Sequence, residues 1–291
     1  VIEGDRRDTA EFMENMEFPQ AEADWDECLG HIEEKLGEFS NTRPIDGARK
    51  QISDICRAAA EEEPGIFRLN VPTGAGKTLS GLRFAVAHAK THRKKRIIFT
   101  SPLLSILDQN AKIIREFIGN DSIITEHHSR AQLLTENWSS PVIITTLVQL
   151  LDTLFAGKTS CIRRMHALCD SVIVIDEVQT VPNEMLSLFN TAVNFLSEVC
   201  GATIVLCSAT QPCLEQTAHP MTENIKDIAP FDEELWRVFR RTQIIDKGGM
   251  RLDAIPAFIA EQLGTTDSLL VICNLKKQAA YLFTKMKLEN T

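Results

Sequence analysis

The sequence has no long hydrophobic run and no recognisable secretion signal. Its best apolar stretches, such as residues 171–175 and 269–273, have the length of buried strands rather than of a membrane span. The first residues are acidic and polar, whereas a signal peptide is basic and then apolar. We therefore expect a cytoplasmic protein that has no membrane partner.

The eight cysteines lack regular spacing. No Cys-x-x-Cys pair occurs, so the ligand spacing of a structural zinc site is missing. Disulfide frameworks belong mostly to small secreted domains, and this chain is long and apolar. Cys56, Cys207 and Cys273 fall in apolar stretches, where a thiol behaves as a small core residue. The pattern predicts reduced, structural thiols.

An excess of basic residues is also missing, because the net charge is −9. Residues 1–40 hold 13 of the 40 acidic residues and three of the 31 basic ones, which leaves 27 acidic and 28 basic residues in the rest. That nearly neutral remainder is compatible with a local basic groove for nucleic acid.

From Asn41 onward, short apolar runs alternate with amphipathic segments. The runs have the length and composition of buried parallel strands, and the segments between them show helical periodicity. This repetition predicts an α/β fold in which a parallel sheet is covered by helices on both sides. The predicted strands cover residues 65–71, 96–100, 142–145, 172–175 and 203–207, and the predicted helices cover residues 76–89, 103–118 and 185–199.

Composition divides the chain into four parts. Residues 1–40 form an acidic helical segment with too few apolar residues for a core of its own, and residues 41–215 form the α/β lobe. Residues 216–250 are polar and end in a glycine pair, which predicts a connection between lobes. Residues 251–291 begin a second unit. In that unit we predict a helix at 252–263, a strand at 269–273 and a helix at 276–286.

Residues 71–78, with the sequence VPTGAGKT, have the context of a phosphate-binding loop between a strand and a helix. Lys77 is expected to reach the β- and γ-phosphates of ATP, and the Thr78 hydroxyl to ligate Mg²⁺. Val71 replaces the first glycine of the usual motif, and a chance glycine-rich turn is the alternative. The predicted nucleotide-binding residues of the loop are Thr73, Gly74, Ala75, Gly76, Lys77 and Thr78.

Asp176 and Glu177 directly follow the apolar run at residues 172–175. An aspartate at this strand end can hold Mg²⁺ opposite the phosphate loop, and the adjacent glutamate can position and deprotonate a water molecule. Taken alone, an acidic pair here is more often a helix N-cap. With the upstream loop, the pair predicts a catalytic site of Lys77, Asp176 and Glu177, with Thr78 and Asp176 as metal ligands.

Two further polar signals are compatible with a nucleotide-driven motor. Ser208 and Thr210 follow the strand at 203–207, where small hydroxyl residues usually form turns. In this order along the chain, the Ser-Ala-Thr tripeptide matches the one that couples ATP state to nucleic-acid grip in helicases, and we expect Gln179 to take part. The Gln51 amide could pair with the adenine N6 and N7 edge. An exposed helix residue is the alternative for Gln51.

The motifs occur in the order PTGAGKT, SPLLSILDQN, TTLVQLLDTLF, VIVIDEVQTVP and CSATQP. In this order they resemble the CRISPR-associated helicase–nuclease family of type I systems, a superfamily-two motor with two RecA-like lobes. The likeness runs over residues 43–212 and resumes at 269–274. The Asp-Glu-Val-Gln box and the Glu-His-His-Ser segment at residues 126–129 favour this family over general RNA helicases.

The resemblance implies a RecA-like, P-loop NTPase fold followed by the start of a second RecA-like lobe. It implies an ATP- and Mg²⁺-dependent helicase that moves on single-stranded DNA for target degradation and works with an RNA-guided CRISPR surveillance complex. Two open alternatives are another superfamily-two DNA or RNA helicase and a non-catalytic nucleotide-binding or docking fragment. The resemblance also implies a strand track, for which ordinary capping is the alternative, formed by Ser101, Pro102, Gln109, Thr145 and Thr146.

The sequence departs from the family in two respects. In the family an HD nuclease domain usually precedes the helicase lobes. In this sequence residues 5–12 resemble only the last helix of such a domain, so we expect the domain upstream. The later motifs of the second lobe, including the arginine that stabilises the transition state, are missing. We therefore expect this chain alone to hydrolyse ATP poorly.

Two other features are open to more than one interpretation. His127 and His128 are adjacent, so on a strand they point in different directions, and we expect a nucleic-acid or surface role rather than a metal site. Residues 90–96, KTHRKKR, are typical of a solvated loop, with a DNA backbone contact as the alternative.

Overall fold

A computed structural model of the chain describes residues 22–127, 138–210, 212, 214–222 and 224–289. The chain divides into two compact units, the first ending at Arg240 and the second beginning at Arg241. No helix in these described ranges is both long and apolar enough to cross a membrane.

The first unit is built on a sheet whose seven described strands all pair in parallel. Their order across the sheet is β3-β4-β2-β5-β6-β1-β7. Because the strands are parallel, their carboxyl ends meet at one edge, where ligand sites of such sheets form. The strands are β1 (Ile66–Asn70), β2 (Arg96–Ser101), β3 (Ile124–His127), β4 (Val142–Thr146), β5 (Ser171–Asp176), β6 (Thr203–Ser208) and β7 (Lys226–Asp227).

Helices cover both faces of this sheet. The described helices of the first unit are α1 (Trp25–Gly37), α2 (Pro44–Ala59), α3 (Lys77–Thr91), α4 (Leu104–Ile118), α5 (Leu147–Phe155), α6 (Thr159–Arg164), α7 (Leu186–Glu198) and α8 (Glu233–Arg237). Short 3₁₀ turns lie at Asp121–Ile123, Met165–Leu168, Val178–Thr180, Asn183–Met185 and Leu214–Gln216.

Two apolar clusters fill the space between the sheet and its helices. Val172 and Val174 of β5 belong to the first cluster, which includes residues of α1, α2, α3 and α4. Ile173 and Ile175 belong to the second, which includes residues of α5 and α7. Successive side chains of a strand point to opposite faces, so a strand that is apolar throughout is buried on both sides. The predicted α/β sandwich with a RecA-like parallel sheet is confirmed.

The acidic N-terminal segment contributes a helix to this core. Trp25, Leu29 and Ile32 of α1 are buried in the first cluster. The Trp25 indole Nε1 also donates a hydrogen bond to the Lys94 carbonyl at 2.8 Å. The helix therefore packs on the α/β lobe, as a segment without its own core must. Residues 5–12, which resemble the last helix of a nuclease domain, lie outside the described residues.

The first unit also extends past the boundary expected at residue 215. Strand β7 pairs with β1, with Lys226 opposite Phe67. Leu235 and Phe239 are buried in the first cluster. Residues 226–239 are thus part of this unit, whereas their polar composition predicted a connection between lobes. Strand β7 extends the sheet beyond β1, and the few apolar side chains of this segment pack into the first cluster.

The second unit contains helices α9 (Ile255–Leu263) and α10 (Lys276–Glu289), as the periodicity predicts. The strand predicted at residues 269–273 is wrong, because these residues have no regular structure. Leu270 is 83% exposed and Ile272 is 84% exposed. A strand needs neighbouring backbone to receive its N–H and C=O groups. No strand of the described second unit offers that pairing.

Candidate nucleotide-binding site

The phosphate loop connects β1 to α3 at the carboxyl edge of the sheet. Gly74 and Gly76 have φ angles of 87° and 84°. This left-handed region favours glycine because a side chain would clash with the backbone. Gly76 is the N-cap of α3, so the first N–H groups of that helix have no partner within it. The loop therefore offers backbone donors and a helix dipole to an anion such as a phosphate.

The Lys77 ammonium lies between the two carboxylates predicted to act with it. Its Nζ is 3.0 Å from Asp176 Oδ1 and forms a short contact with Glu177 Oε1. Burial opposes the charged form of Lys77, but attraction to Asp176 and hydrogen bonding to Glu177 outweigh it and raise the pKa of the lysine. The fold thus brings Lys77 to an acidic pair that lies about 100 positions further along the sequence.

The Glu177 carboxylate is kept ionised by its neighbours. Burial alone would raise the pKa of Glu177, but hydrogen bonds from Lys77 and Gln179 lower it below the ordinary value. Glu177 also has a φ of 53°, which is uncommon for a residue with a side chain. Such local strain concentrates at functional sites, where the surrounding structure holds a side chain in place.

Asn110 of α4 joins the phosphate loop to the acidic strand end. Its Oδ1 accepts a hydrogen bond from Thr78 Oγ1 at 3.3 Å. Its Nδ2 donates to Asp176 Oδ2 at 3.4 Å and to Ser101 Oγ at 3.0 Å. The sequence prediction missed this residue. The available signal was an asparagine on the same apolar helix face as Leu107 and Ile114.

The oxygens assembled around Asn110 suit a magnesium ion. Thr78 and Asp176 line one small pocket together with Asn110 and Lys77. Mg²⁺ is bound by oxygen ligands, commonly one or two carboxylates with further ligands from water and phosphate. A hydroxyl and a carboxylate at the phosphate loop match that preference. The residues predicted as metal ligands are therefore close together and chemically appropriate.

A hydrogen-bonded chain leads from Glu177 to the turn after β6. Gln179 Nε2 donates to Glu177 Oε2 at 2.5 Å. Gln179 Oε1 accepts from Ser208 Oγ at 2.5 Å, and the Thr210 backbone N–H donates to the same hydroxyl oxygen at 3.0 Å. The three residues predicted to couple nucleotide state to the rest of the motor are brought together in this order.

A cavity of about 720 Å³ adjoins the phosphate loop. Helix α2 lines it with one stripe of residues at helical spacing, and Arg49 of that stripe donates from Nε to the Gly74 carbonyl at 2.8 Å. Gln51 is exposed and is not among the described lining residues, so the adenine role predicted for it has no support here. The α2 residues of the stripe are Asp46, Arg49, Lys50, Ser53 and Asp54. Position 51 lies off this stripe because each helical residue turns by about 100°.

The residues predicted for the strand track lie at the carboxyl ends of β2 and β4, where Ser101 is paired with Thr146. Thr145 is fully buried, and its hydroxyl donates to the His127 carbonyl at 2.7 Å. Thr146 caps α5 by accepting the Gln149 N–H. Ser101 is also buried. The accessible members of the set are Pro102 and Thr146, which are half-buried, and Gln109, which is exposed.

Of the two adjacent histidines, the structure describes His127. His127 is largely buried and packs edge to face against Trp138, with ring centroids 5.9 Å apart. His128 lies outside the described residues. Groups of three or more potential metal ligands are absent from the part of the chain that the structure describes.

The basic run at residues 90–96 is tied to the opposite edge of the sheet. Lys94 is buried and donates from Nζ to the Gly201 carbonyl at 2.7 Å. Lys95 pairs with Asp170 at 3.1 Å. These contacts give part of the run a structural role at the amino ends of the strands, away from the predicted strand track.

Comparisons with known proteins agree with this architecture. The model of the DEAD/DEAH box helicase family matches residues 53–217, more than half of the chain. The CRISPR-associated nuclease/helicase Cas3 of Haloferax volcanii is 25% identical over 210 residues, which cover 61% of this chain and 22% of the relative. The chain thus spans about a fifth of that protein.

Solved structures share the fold at low sequence identity. T. fusca Cas3 superposes with a TM-score of 0.51 and 20% identity, over 63% of this chain and 22% of that one. The DUF1998 helicase MrfA has a TM-score of 0.51 and 15% identity, over 94% of this chain and 41% of that one. The parallel sheet, the phosphate loop and the family match lead to one conclusion: the chain belongs to the DEAD/DEAH box helicase family.

Proposed function

We propose that this chain is the ATP-binding and ATP-hydrolysing lobe of a CRISPR-associated helicase that moves on single-stranded DNA. The contact of Lys77 with Asp176 and Glu177 at the phosphate loop carries the nucleotide part of the proposal. The similarity to the Haloferax volcanii Cas3 protein supports the CRISPR part. An RNA-guided surveillance complex and an HD nuclease domain are the partners that this assignment proposes.

Each residue of the site has a distinct part in the proposed reaction. Bound ATP and Mg²⁺ supply the phosphoryl group and the positive charge that neutralises it during transfer. Lys77 holds the β- and γ-phosphates, and Thr78 and Asp176 hold the metal ion. Glu177 orients a water molecule and accepts its proton on a carboxylate oxygen. The adjoining cavity of about 720 Å³ has the size of a small-molecule site and takes the nucleoside.

The series of hydrogen bonds from Glu177 through Gln179 to Ser208 supports coupling between ATP hydrolysis and movement along DNA. A change in the hydrogen bonds of Glu177 alters what Gln179 can donate and accept. Ser208 and the Thr210 N–H are the last groups in this series of hydrogen bonds and lie at the turn after β6. We propose that this turn responds to nucleotide state and changes the grip on DNA at the edge formed by β2 and β4.

Phosphate release measured with single-stranded DNA, with single-stranded RNA and without nucleic acid tests the proposal. We expect slow turnover by this chain alone and faster turnover, stimulated by DNA, in a form extended through a second lobe. Lys77→Ala should abolish both, because the positive charge that holds the phosphates is lost. Lys90→Ala is the matched control, since Lys90 lies on the same helix in an exposed ion pair with Asp26. Stimulation by RNA alone would assign the chain to an RNA helicase. Nucleotide binding without turnover, even in a form extended through a second lobe, would indicate a non-catalytic module.

A further inference from the structure

Two cysteines face each other at the edge of the sheet opposite the nucleotide site. In the β5–β6 pair, Val172 lies opposite Thr203. Cys169 and Cys200 each lie three residues before these partners, in the turns that lead into the two strands, and their side chains are close enough to form a hydrogen bond. The Asp170 N–H donates to the Cys200 carbonyl at 3.0 Å, which confirms that the two turns are adjacent. Neighbouring strands lie about 4.8 Å apart, within the separation of about 4.4–6.8 Å between the Cα atoms of a disulfide.

The turns that carry the two cysteines are held in place by several contacts. Asp170 and Gly201 have φ angles of 50° and 63°, so each cysteine is followed by a left-handed residue. Lys94 Nζ donates to the Gly201 carbonyl at 2.7 Å, and the Lys95 N–H donates to the Asp170 carbonyl at 2.8 Å. A Cβ at position 201 would lie 3.1 Å from Asp170 Oδ1, so glycine permits this close approach. Little further ordering is needed to bring the thiols together.

The two thiols have different environments. Cys169 is exposed, whereas Cys200 is half-buried. Burial, followed by the charge of Cys169 and a side-chain hydrogen bond with it, raises the pKa of Cys200 to about 11. Solvent therefore reaches Cys169 more easily, and Cys200 keeps its proton at neutral pH. Such an arrangement suits an attacking thiol with a neighbouring resolving thiol.

Arg96 lies close enough to Cys169 for the two side chains to interact electrostatically. Burial lowers the pKa of Arg96, and electrostatic attraction to Cys169 partly opposes that effect. The Arg96 Nε is buried and lacks a hydrogen-bond partner among the described residues. The attraction between Arg96 and Cys169 would stabilise the negative charge that the sulfur carries while it attacks a peroxide.

We propose that Cys169 and Cys200 form an oxidisable dithiol that closes to a disulfide on reaction with a peroxide. The Cys169 thiolate attacks one peroxide oxygen, the O–O bond breaks, and the released hydroxide takes a proton to become water. Cys200 then attacks the resulting sulfenic acid, so the S–S bond forms, the S–O bond breaks and a second water leaves. The two thiols lose two electrons and the peroxide gains them. The prediction of purely structural thiols changes for this pair.

This site is independent of the proposed nucleotide chemistry. Asp176 and Ser208 lie at the carboxyl ends of β5 and β6, and the cysteines precede the amino ends of the same strands. The disulfide would cross-link the two turns without entering the phosphate loop. Nucleotide binding is therefore expected to persist after oxidation, while the temperature of thermal unfolding rises because the unfolded chain is constrained.

The test treats the reduced chain with hydrogen peroxide, blocks the remaining thiols with an alkylating agent and maps peptides by mass spectrometry. We expect a linked pair of peptides containing Cys169 and Cys200, lighter by two hydrogens and restored by dithiothreitol. In Cys200→Ser the disulfide should be lost, and dimedone should trap a sulfenic acid at Cys169. Cys161→Ser is the matched control and should leave the linkage unchanged, because Cys161 is buried in helix α6.

Replacing the cation tests how Cys169 is activated. Arg96→Met should slow the formation of the linkage, and Arg96→Lys should restore much of the rate, with circular dichroism confirming that each variant is folded. The proposal is overturned if both cysteines stay separately alkylatable after peroxide has oxidised other thiols. It is also overturned if Cys169 couples mainly to a different cysteine, or if Cys200→Ser yields no trapped species at Cys169.

Discussion

At the carboxyl end of the sheet, Asn110 donates a hydrogen bond to the Asp176 carboxylate, with Nδ2 3.4 Å from Oδ2. The same amide accepts a hydrogen bond from the Thr78 hydroxyl. One side chain therefore sets the distance between the hydroxyl and the carboxylate that we propose hold Mg²⁺. A spacing set by an uncharged amide adds no charge that would compete with Lys77. Asn110 is therefore a positioning residue for the metal site.

We expect Asn110→Ala to weaken Mg²⁺-dependent nucleotide binding by about tenfold, the equivalent of one lost hydrogen bond to a charged group. Titration calorimetry with ADP, in the presence and absence of Mg²⁺, measures the change. The loss should appear only with Mg²⁺. Lys112→Ala, an exposed change on the same helix, should have no effect. Equal weakening in the absence of Mg²⁺ would contradict a metal-positioning role.

Glu177→Gln should separate nucleotide binding from turnover. The amide keeps the size of the side chain but cannot accept a proton from water, so phosphate release should fall by about 10²–10⁴. Binding of ADP should change far less, since Lys77 keeps its contact with Asp176. Because the pKa of Glu177 is lowered, the base stays ionised until the pH falls below the ordinary carboxyl range. Unchanged turnover would rule out Glu177 as the base.

Arg83 should be important for stability because it ties three helices together. It is 8% exposed, and its guanidinium donates to Glu33 of α1 at 2.6 and 2.8 Å and to Asp54 of α2 at 2.7 Å. Arg83→Met should lower the free energy of unfolding by about 2–3 kcal/mol, less than for a fully buried pair because both carboxylates are partly exposed.

Urea denaturation measures the effect of Arg83→Met. The control is Arg43→Ala, which removes an exposed ion pair with Asp46 and should change stability little. If the two variants unfold at the same urea concentration, the helix junction at Arg83 does not stabilise the lobe.

His88 should make the lobe less stable in acid. Its ring is fully buried and hydrogen-bonds the Ala60 carbonyl and the Thr203 hydroxyl. Burial lowers the pKa of His88 to about 3, so the unfolded chain binds a proton at higher pH than the folded chain does. This contribution to stability is present above the unfolded pKa, near 6.5, and is lost as the pH falls from there toward 3. The loss amounts to at most roughly 5 kcal/mol.

Urea unfolding at a series of pH values tests this dependence. His88→Gln keeps a polar group but cannot take up a proton, so it should flatten the curve between about pH 6.5 and pH 3. His166→Gln changes an exposed histidine and should leave the curve as it is. An unaltered slope in His88→Gln would assign the acid sensitivity to other groups.

The predicted strand track divides into accessible and buried members with different expected effects. Gln109→Ala should weaken binding to single-stranded DNA without a change in stability. Thr145→Val should lower the free energy of unfolding by about 1 kcal/mol, because it removes the buried hydrogen bond to the His127 carbonyl. Fluorescence anisotropy at several salt concentrations provides the measurement. Binding should fall steeply with salt as counterions are released, and a salt-independent affinity would contradict backbone recognition.

Much of the sheet can be predicted from the sequence because its signals are local. Strand β5 is apolar through residues 172–175, and buried parallel strands require that composition. The phosphate loop is recognisable because its glycines adopt a left-handed backbone and its lysine and threonine follow at fixed positions. The predicted ends of these elements differ from the observed ones by a few residues, since helix and strand ends depend on capping contacts.

Other features could not be predicted because they depend on what a segment meets in space. The apolar run at residues 269–273 has strand composition, yet without a described neighbour in its unit it forms no strand. Gln51 carries a suitable amide, but the orientation of α2 turns Asp46 and Arg49 toward the cavity instead. Residues 226–239 read as a polar link, although a few of their side chains complete the first unit.

The sequence by itself determined the α/β class, the phosphate loop and the acidic strand end, because backbone geometry and burial restrict which residues can occupy those positions. Only the tertiary structure decided that Asn110 links Thr78 to Asp176, and that Cys169 lies close to Cys200. Both relationships join segments that are distant along the chain. They follow from the strand order and register of a parallel sheet, which the sum of contacts over the whole lobe selects and no single segment encodes.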